Sequence, residues 1–138
     1  MVMQNQAYAL ARAELLQARW QRWGRNIDVA WVHAAAQVAP GAGGVLVTRA
    51  VSAGVSGYIY GFLISAQEAN NFLLNWTSGG VARSMRIPFG GLGSAEAVDP
   101  VALNEGLPAD AGTNVTITNV NAAAALMVYQ ARLLYGEV

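Results

Sequence analysis

Residues 55–76 read VSGYIYGFLISAQEANNFLLNW, and their apolar pattern has a period of two. Tyr58, Tyr60, Phe62 and Ile64 fall on one face of an extended chain. After the polar stretch SAQEAN (65–70), Phe72, Leu74 and Trp76 do the same. Successive strand side chains point to opposite faces, so this pattern predicts two strands joined by a short loop. Gly57 and Gly61 fit bends or close backbone approach inside such a strand.

The same period extends in both directions. Upstream, Ile27, Val29 and Trp31 alternate with Asp28, Ala30 and Val32, and the run ends at APGAGG (39–44). Val45, Val47 and Val51 then alternate with Leu46, Thr48 and Ala50. Downstream, TSGG (77–80) turns the chain into VARSMRI (81–87), an amphipathic strand with Arg83 and Ser84 near its middle. The segment PFGGLGS (88–94) reads as a glycine-rich loop, AEAV (95–98) as a short strand, and LNEGLPADAGT (103–113) as polar turns. NVTITNV (114–120) and ALMVYQARLLY (125–135) read as the last two strands.

Only the front of the chain departs from this pattern. Residues 5–23 lack Gly and Pro and are rich in strong helix formers. Ala9, Ala13, Leu16, Trp20 and Trp23 are spaced 4, 3, 4, 3, an apolar seam from which Arg12, Arg19 and Arg22 turn away. Gly24 fits a C-cap. The expected fold is therefore all-β. It is a jelly-roll-like β-sandwich of about eight strands over 27–138, preceded by one N-terminal amphipathic α-helix over 1–26.

Charge divides the chain at the same place. Residues 1–26 carry Arg12, Arg19, Arg22 and Arg25 against Glu14, a balance of +3, and the remainder carries −3. Only 12% of the 138 residues are charged and 54% are apolar, against about 25% charged in an average soluble domain. So little charge points to surface covered by other subunits. No apolar run is long enough to span a bilayer. The N-terminus lacks the basic and apolar regions of a secretory signal, so synthesis in a cytoplasm without export is expected.

An enzyme lacks the residues to build it. The chain has no cysteine and no lysine, and its one histidine, His33, lies in an alanine-rich stretch expected to be strand. No Ser stands in a G-x-S-x-G elbow. Asp99, Glu105 and Asp110 share a loop-rich stretch and are the acids able to gather around a hard cation, although turn-forming acids have the same composition. No cofactor, metal or small-molecule substrate is expected. Nucleic acid is disfavoured because the chain beyond the basic arm is acidic. Membrane binding is disfavoured because alanines fill much of the apolar seam. Protein association remains: Trp and Arg dominate interface hot spots, which marks Leu16, Arg19, Trp20, Arg22 and Trp23 as the arm's contact residues.

The stretches VSGYIYGFLISAQEANNFLLNW (55–76), VDPVALNEGLPADAGTNVTI (98–117) and YQARLLYGE (129–137) together resemble small jelly-roll virion proteins, the trimeric decoration or cement proteins of tailed-phage capsids. The resemblance lies in an aromatic-rich strand, a polar turn block and a long closing strand. It implies a structural virion protein whose partners are copies of itself and a major capsid protein. It also implies an arm that reaches over a neighbouring subunit. Two other readings fit the composition: a subunit of an extracellular filament, and a carbohydrate-binding sandwich presenting Tyr58, Tyr60 and Trp76.

Overall fold

The computed structural model describes residues 9–11, 13–14, 29–91, 93–97 and 106–138. Among the described residues, ten strands form two antiparallel sheets: β1 (Val29–Val32), β2 (Gln37–Val38), β3 (Val45–Ala50), β4 (Gly57–Ala66), β5 (Asn70–Ser78), β6 (Val81–Phe89), β7 (Gly93–Ala97), β8 (Leu107–Ala109), β9 (Asn114–Asn119) and β10 (Val128–Glu137). One sheet has the order β1-β10-β4-β7, with β2 also on β10 and β8 also on β4; the other has the order β3-β9-β5-β6. The all-β sandwich read from the sequence is thus present. It has two more strands than expected, because β2 and β8 are pieces of two and three residues held by pairing with longer neighbours. Residues 9–11 and 13–14 are helical and exposed; the rest of the expected helix lies outside the described residues.

The inner faces interdigitate around Ile59, Ile64, Phe72, Leu74, Ile117, Tyr129 and Leu133, all fully buried. The Phe72 ring meets Phe89 and Tyr129 edge-on, at centroid distances of 6.0 and 5.6 Å. Each such side chain contributes about 1.5–3 kcal/mol by leaving water. As expected, Phe72 and Leu74 face inward, and Trp76 packs against the same core.

Two β-bulges correct the facing read from the alternation. Along the β4–β10 ladder, Gly61 pairs with Leu134 and Ile59 with Tyr135, which leaves Tyr60 as an extra residue. A bulge reverses the inside–outside pattern beyond it. Ile59 therefore joins Phe62 and Ile64 in the core. Tyr58 and Tyr60 instead form a separate small cluster with Val29 and Leu134, their rings 6.4 Å apart. The second bulge lies between Val45 and Val47. It buries Leu46 and Val47 together and leaves Val45 exposed.

Strand ends also shift for identifiable reasons. β6 continues through Pro88 to Phe89, because Ile87 and Phe89 are buried and Pro is tolerated on an edge strand. β10 starts at Val128 rather than Ala125, because Leu126 adopts φ 67°, outside the strand region. His33 is exposed in the link between β1 and β2, not within a strand.

Candidate functional site

β3 forms one edge of its sheet, and beside it β1 lies on the outer side of β10 in the other. The cleft at this side, about 410 Å³, is lined by Trp31 and Val32 of β1, Arg49 of β3, and Tyr135 and Glu137 of β10. Glu137 is its centre. Its Oε1 accepts from the Ser52 N–H at 3.0 Å, the Ser52 hydroxyl at 3.1 Å, the Tyr135 hydroxyl at 3.0 Å and the Arg49 guanidinium at 3.4 Å. The same guanidinium lies over the Tyr135 ring, 5.2 Å from its centroid.

The electrostatics follow from those contacts. The Ser52 N–H, with help from the Ser52 and Tyr135 hydroxyls and Arg49, holds the Glu137 carboxyl below its ordinary range. Burial, reinforced by the neighbouring Glu137 carboxylate, pushes the Tyr135 phenol up. The result is an ionised acceptor and a neutral donor locked together, with Arg49 already offset by Glu137. This group ties β10 to β3 across the two sheets.

A second polar cluster occupies the opposite end of β10. The buried Asn70 amide donates to the Tyr129 hydroxyl at 2.8 Å and to the Asn121 carbonyl at 2.9 Å. Tyr129 donates to Glu68 at 2.7 Å, and Glu68 also accepts from the Ala124 N–H at 2.8 Å. Burial, more than the Glu68 carboxylate, raises the Tyr129 phenol. Asn119, fully buried, donates to the carbonyls of Gly41 at 2.9 Å and Asn121 at 2.8 Å. Buried amide N–H groups that donate in this way fix loops in place.

The residues marked by the sequence are distributed as follows. Leu16, Arg19, Trp20, Arg22 and Trp23 lie outside the described residues, as do Asp99 and Glu105. Asp110 accepts from the N–H groups of Gly79 at 3.0 Å and Gly80 at 2.8 Å, bracing the β5–β6 turn. Among the described residues, no group of three or more His, Asp or Glu is placed to hold a metal ion. Tyr58 and Tyr60 belong to one sheet and Trp76, packed on the core, to the other. The three therefore do not lie on one sheet face.

Neither polar cluster was read from the sequence. Glu137 and Arg49 are 88 residues apart, and Asn70 and Tyr129 are 59 apart, so no local spacing signals either one. No family model matches the chain, and no curated protein matches it.

Proposed function

We propose that this chain is a structural virion protein of the capsid-decoration kind: a jelly roll that associates with copies of itself, as a trimer, on a shell of major capsid protein. One observation carries the reading. The order β1-β10-β4-β7 in one sheet and β3-β9-β5-β6 in the other is the order that two Greek keys wound into a double sheet produce. Jelly rolls are a recurrent capsid architecture, and to that extent the warrant is an analogy of fold.

The polar chemistry gives independent support. Glu68, Asp110 and Glu137 each bind groups that brace loops or strands. A framework of this kind suits a rigid building block. The arm supplies the anchors: Leu16, Trp20 and Trp23 along the seam, with Arg19 and Arg22 beside it. Its charge complements the acidic β-domain of a neighbour and orients the contact.

The experiment is light scattering on the intact chain and on a chain lacking residues 1–25, followed by negative-stain microscopy and immunogold labelling of particles from the source. Discrete trimers or rings, weakened by the deletion, with gold on shells, are expected. Rods would favour the filament reading. Association unchanged by the deletion would remove the arm from the account.

A further inference from the structure

β6 is the outermost strand of its sheet, and among the described residues no strand pairs with its far side. It is also the longest terminal strand of the two sheets, nine residues against four in β1, five in β7 and six in β3. A free edge presents a row of backbone N–H and C=O groups ready to pair with another chain, and folded proteins usually shorten or cover it. β6 is held in place from within, because Ile87 and Phe89 are buried and Met85 packs on the core. Its first four residues, 81–84, are exposed, Val81 by 53%. Pro88 removes one N–H only near the end, opposite Asn71, so residues 81–87 remain able to pair.

The edge carries charge of one sign. Residues 81–89 contain Arg83 and Arg86 and no acid. Both arginines are exposed, and across the ladder they stand opposite Trp76 and Leu73 rather than acids. Neither enters an ion pair among the described residues, where the pair formed is Arg49–Glu137. Asp110, beside the turn that leads into β6, has its two carboxylate oxygens on the Gly79 and Gly80 N–H groups. By the alternation of a strand, Arg83 lies on the face of Ile87 and Phe89, and Arg86 lies on the opposite face with Ala82 and Ser84.

We infer that the outer edge of β6 receives an extended acidic segment of a partner protein as an added strand, with two carboxylates three residues apart set against Arg83 and Arg86. Charge selects the occupant. A two-fold pairing of β6 with its own copy, centred anywhere from 83 to 86, sets Arg83 or Arg86 directly or diagonally opposite itself, and like charges so placed destabilise the pair. An acidic strand turns the same positions to advantage, with Cβ atoms of directly opposite residues about 4.5–5.5 Å apart. The spacing follows from the pleat. Residues three apart point to opposite faces, so the two carboxylates divide between the faces as the two arginines do. Backbone hydrogen bonds supply affinity, and the charges choose the partner and its register.

The test uses the full chain and a fluorescent peptide as long as β6, capped at both ends, of threonine and valine with glutamate at two positions three apart. Two further peptides carry lysine in place of glutamate, or the two glutamates with alternate backbone nitrogens methylated. Anisotropy is expected to show binding of the glutamate peptide, weakened at least about tenfold by the lysine exchange and by the methylation. Joint Arg83→Glu and Arg86→Glu substitution should reverse the preference, so that the lysine peptide binds and the glutamate peptide does not. Both positions are exposed, so circular dichroism and melting temperature stay as they were.

Equal binding of the glutamate and lysine peptides would overturn the charge pairing. A methylated peptide that binds as well as its parent would overturn strand addition. If no peptide binds, the arginines only guard the edge and the assignment falls. If no peptide binds and light scattering shows self-association that the double variant loses, the occupant is a second copy and the assignment falls as well.

Discussion

Gly57 lies against the phenol of Tyr135 so closely that a Cβ at position 57 would overlap the hydroxyl and stand 3.0 Å from Cε2 and Cζ. That hydroxyl donates to Glu137, so displacing the ring also disturbs the clamp between β10 and β3. Gly57→Ala is expected to destabilise the fold by about 1–3 kcal/mol, the usual cost of overpacking a filled site. Urea unfolding measures it. In a Tyr135→Leu background the same substitution should cost far less, because the atoms it strikes are gone. Equal costs in the two backgrounds would show that the contact is not the cause.

Glu137 gives the clamp a pH dependence of definite sign. Its folded pKa lies below the ordinary value, first because of the Ser52 N–H. A depressed carboxyl pKa contributes stability that is complete above the unfolded value, about 4.3, and is lost as pH falls through the folded one. Melting temperature should drop on acidification below about pH 4, and Glu137→Gln should flatten that limb. The Arg49 part of the effect is small, since its side chain is 43% exposed and such pairs contribute about 1 kcal/mol or less. Identical acid limbs in wild type and Glu137→Gln would assign the acid sensitivity elsewhere.

The two sheets were legible because Phe72, Leu74 and Trp76 alternate without interruption, as do the inward residues of β9 and β10. Tyr60 was not legible as a bulge. A bulge adds one residue without altering the sequence alternation, and only the pairing of Ile59 and Gly61 with consecutive residues of β10 reveals it. β2 and β8 were missed because two or three residues carry no periodicity; their partners on β10 and β4 define them. The Glu137 and Asn70 clusters were missed for a related reason. Each joins residues distant in the chain, and composition does not encode which distant residues meet.

Asn70 links three segments through one side chain. Its amide donates to Tyr129 and to the Asn121 carbonyl, and its Oδ1 accepts from the Asn71 N–H at 2.7 Å and the Asn121 N–H at 3.2 Å. Asn70→Ala should cost about 1–3 kcal/mol, because it strands buried partners rather than merely losing a bond. Asn70→Asp should cost more at pH 7. It sets a second carboxylate on a phenol that already donates to Glu68, and it removes both donors. The gap between the two variants should narrow as pH approaches 4, where carboxylates begin to protonate. Denaturant midpoints at the two pH values decide it; a gap independent of pH would mean that repulsion between carboxylates plays no part.

Asp110 tests whether the loop acids serve a cation or the fold. Gly79 and Gly80 form the two-residue turn between β5 and β6, with φ of 63° and 74°, the mirror-image conformation that hairpins favour and glycine permits. Asp110 spans that turn with one oxygen on each N–H, while its own N–H donates to Thr77 at 2.8 Å. Asp110→Ala is therefore expected to lower stability by up to about 3 kcal/mol, the upper range for hydrogen bonds to a charged group. Asp110→Asn should recover part of the loss, because its single carbonyl oxygen can accept from one of the two amides. Millimolar calcium should leave the wild-type melting temperature unchanged, since both carboxylate oxygens are engaged by the backbone. A clear rise with calcium that Asp110→Asn abolishes would instead place Asp110 among the ligands of a cation.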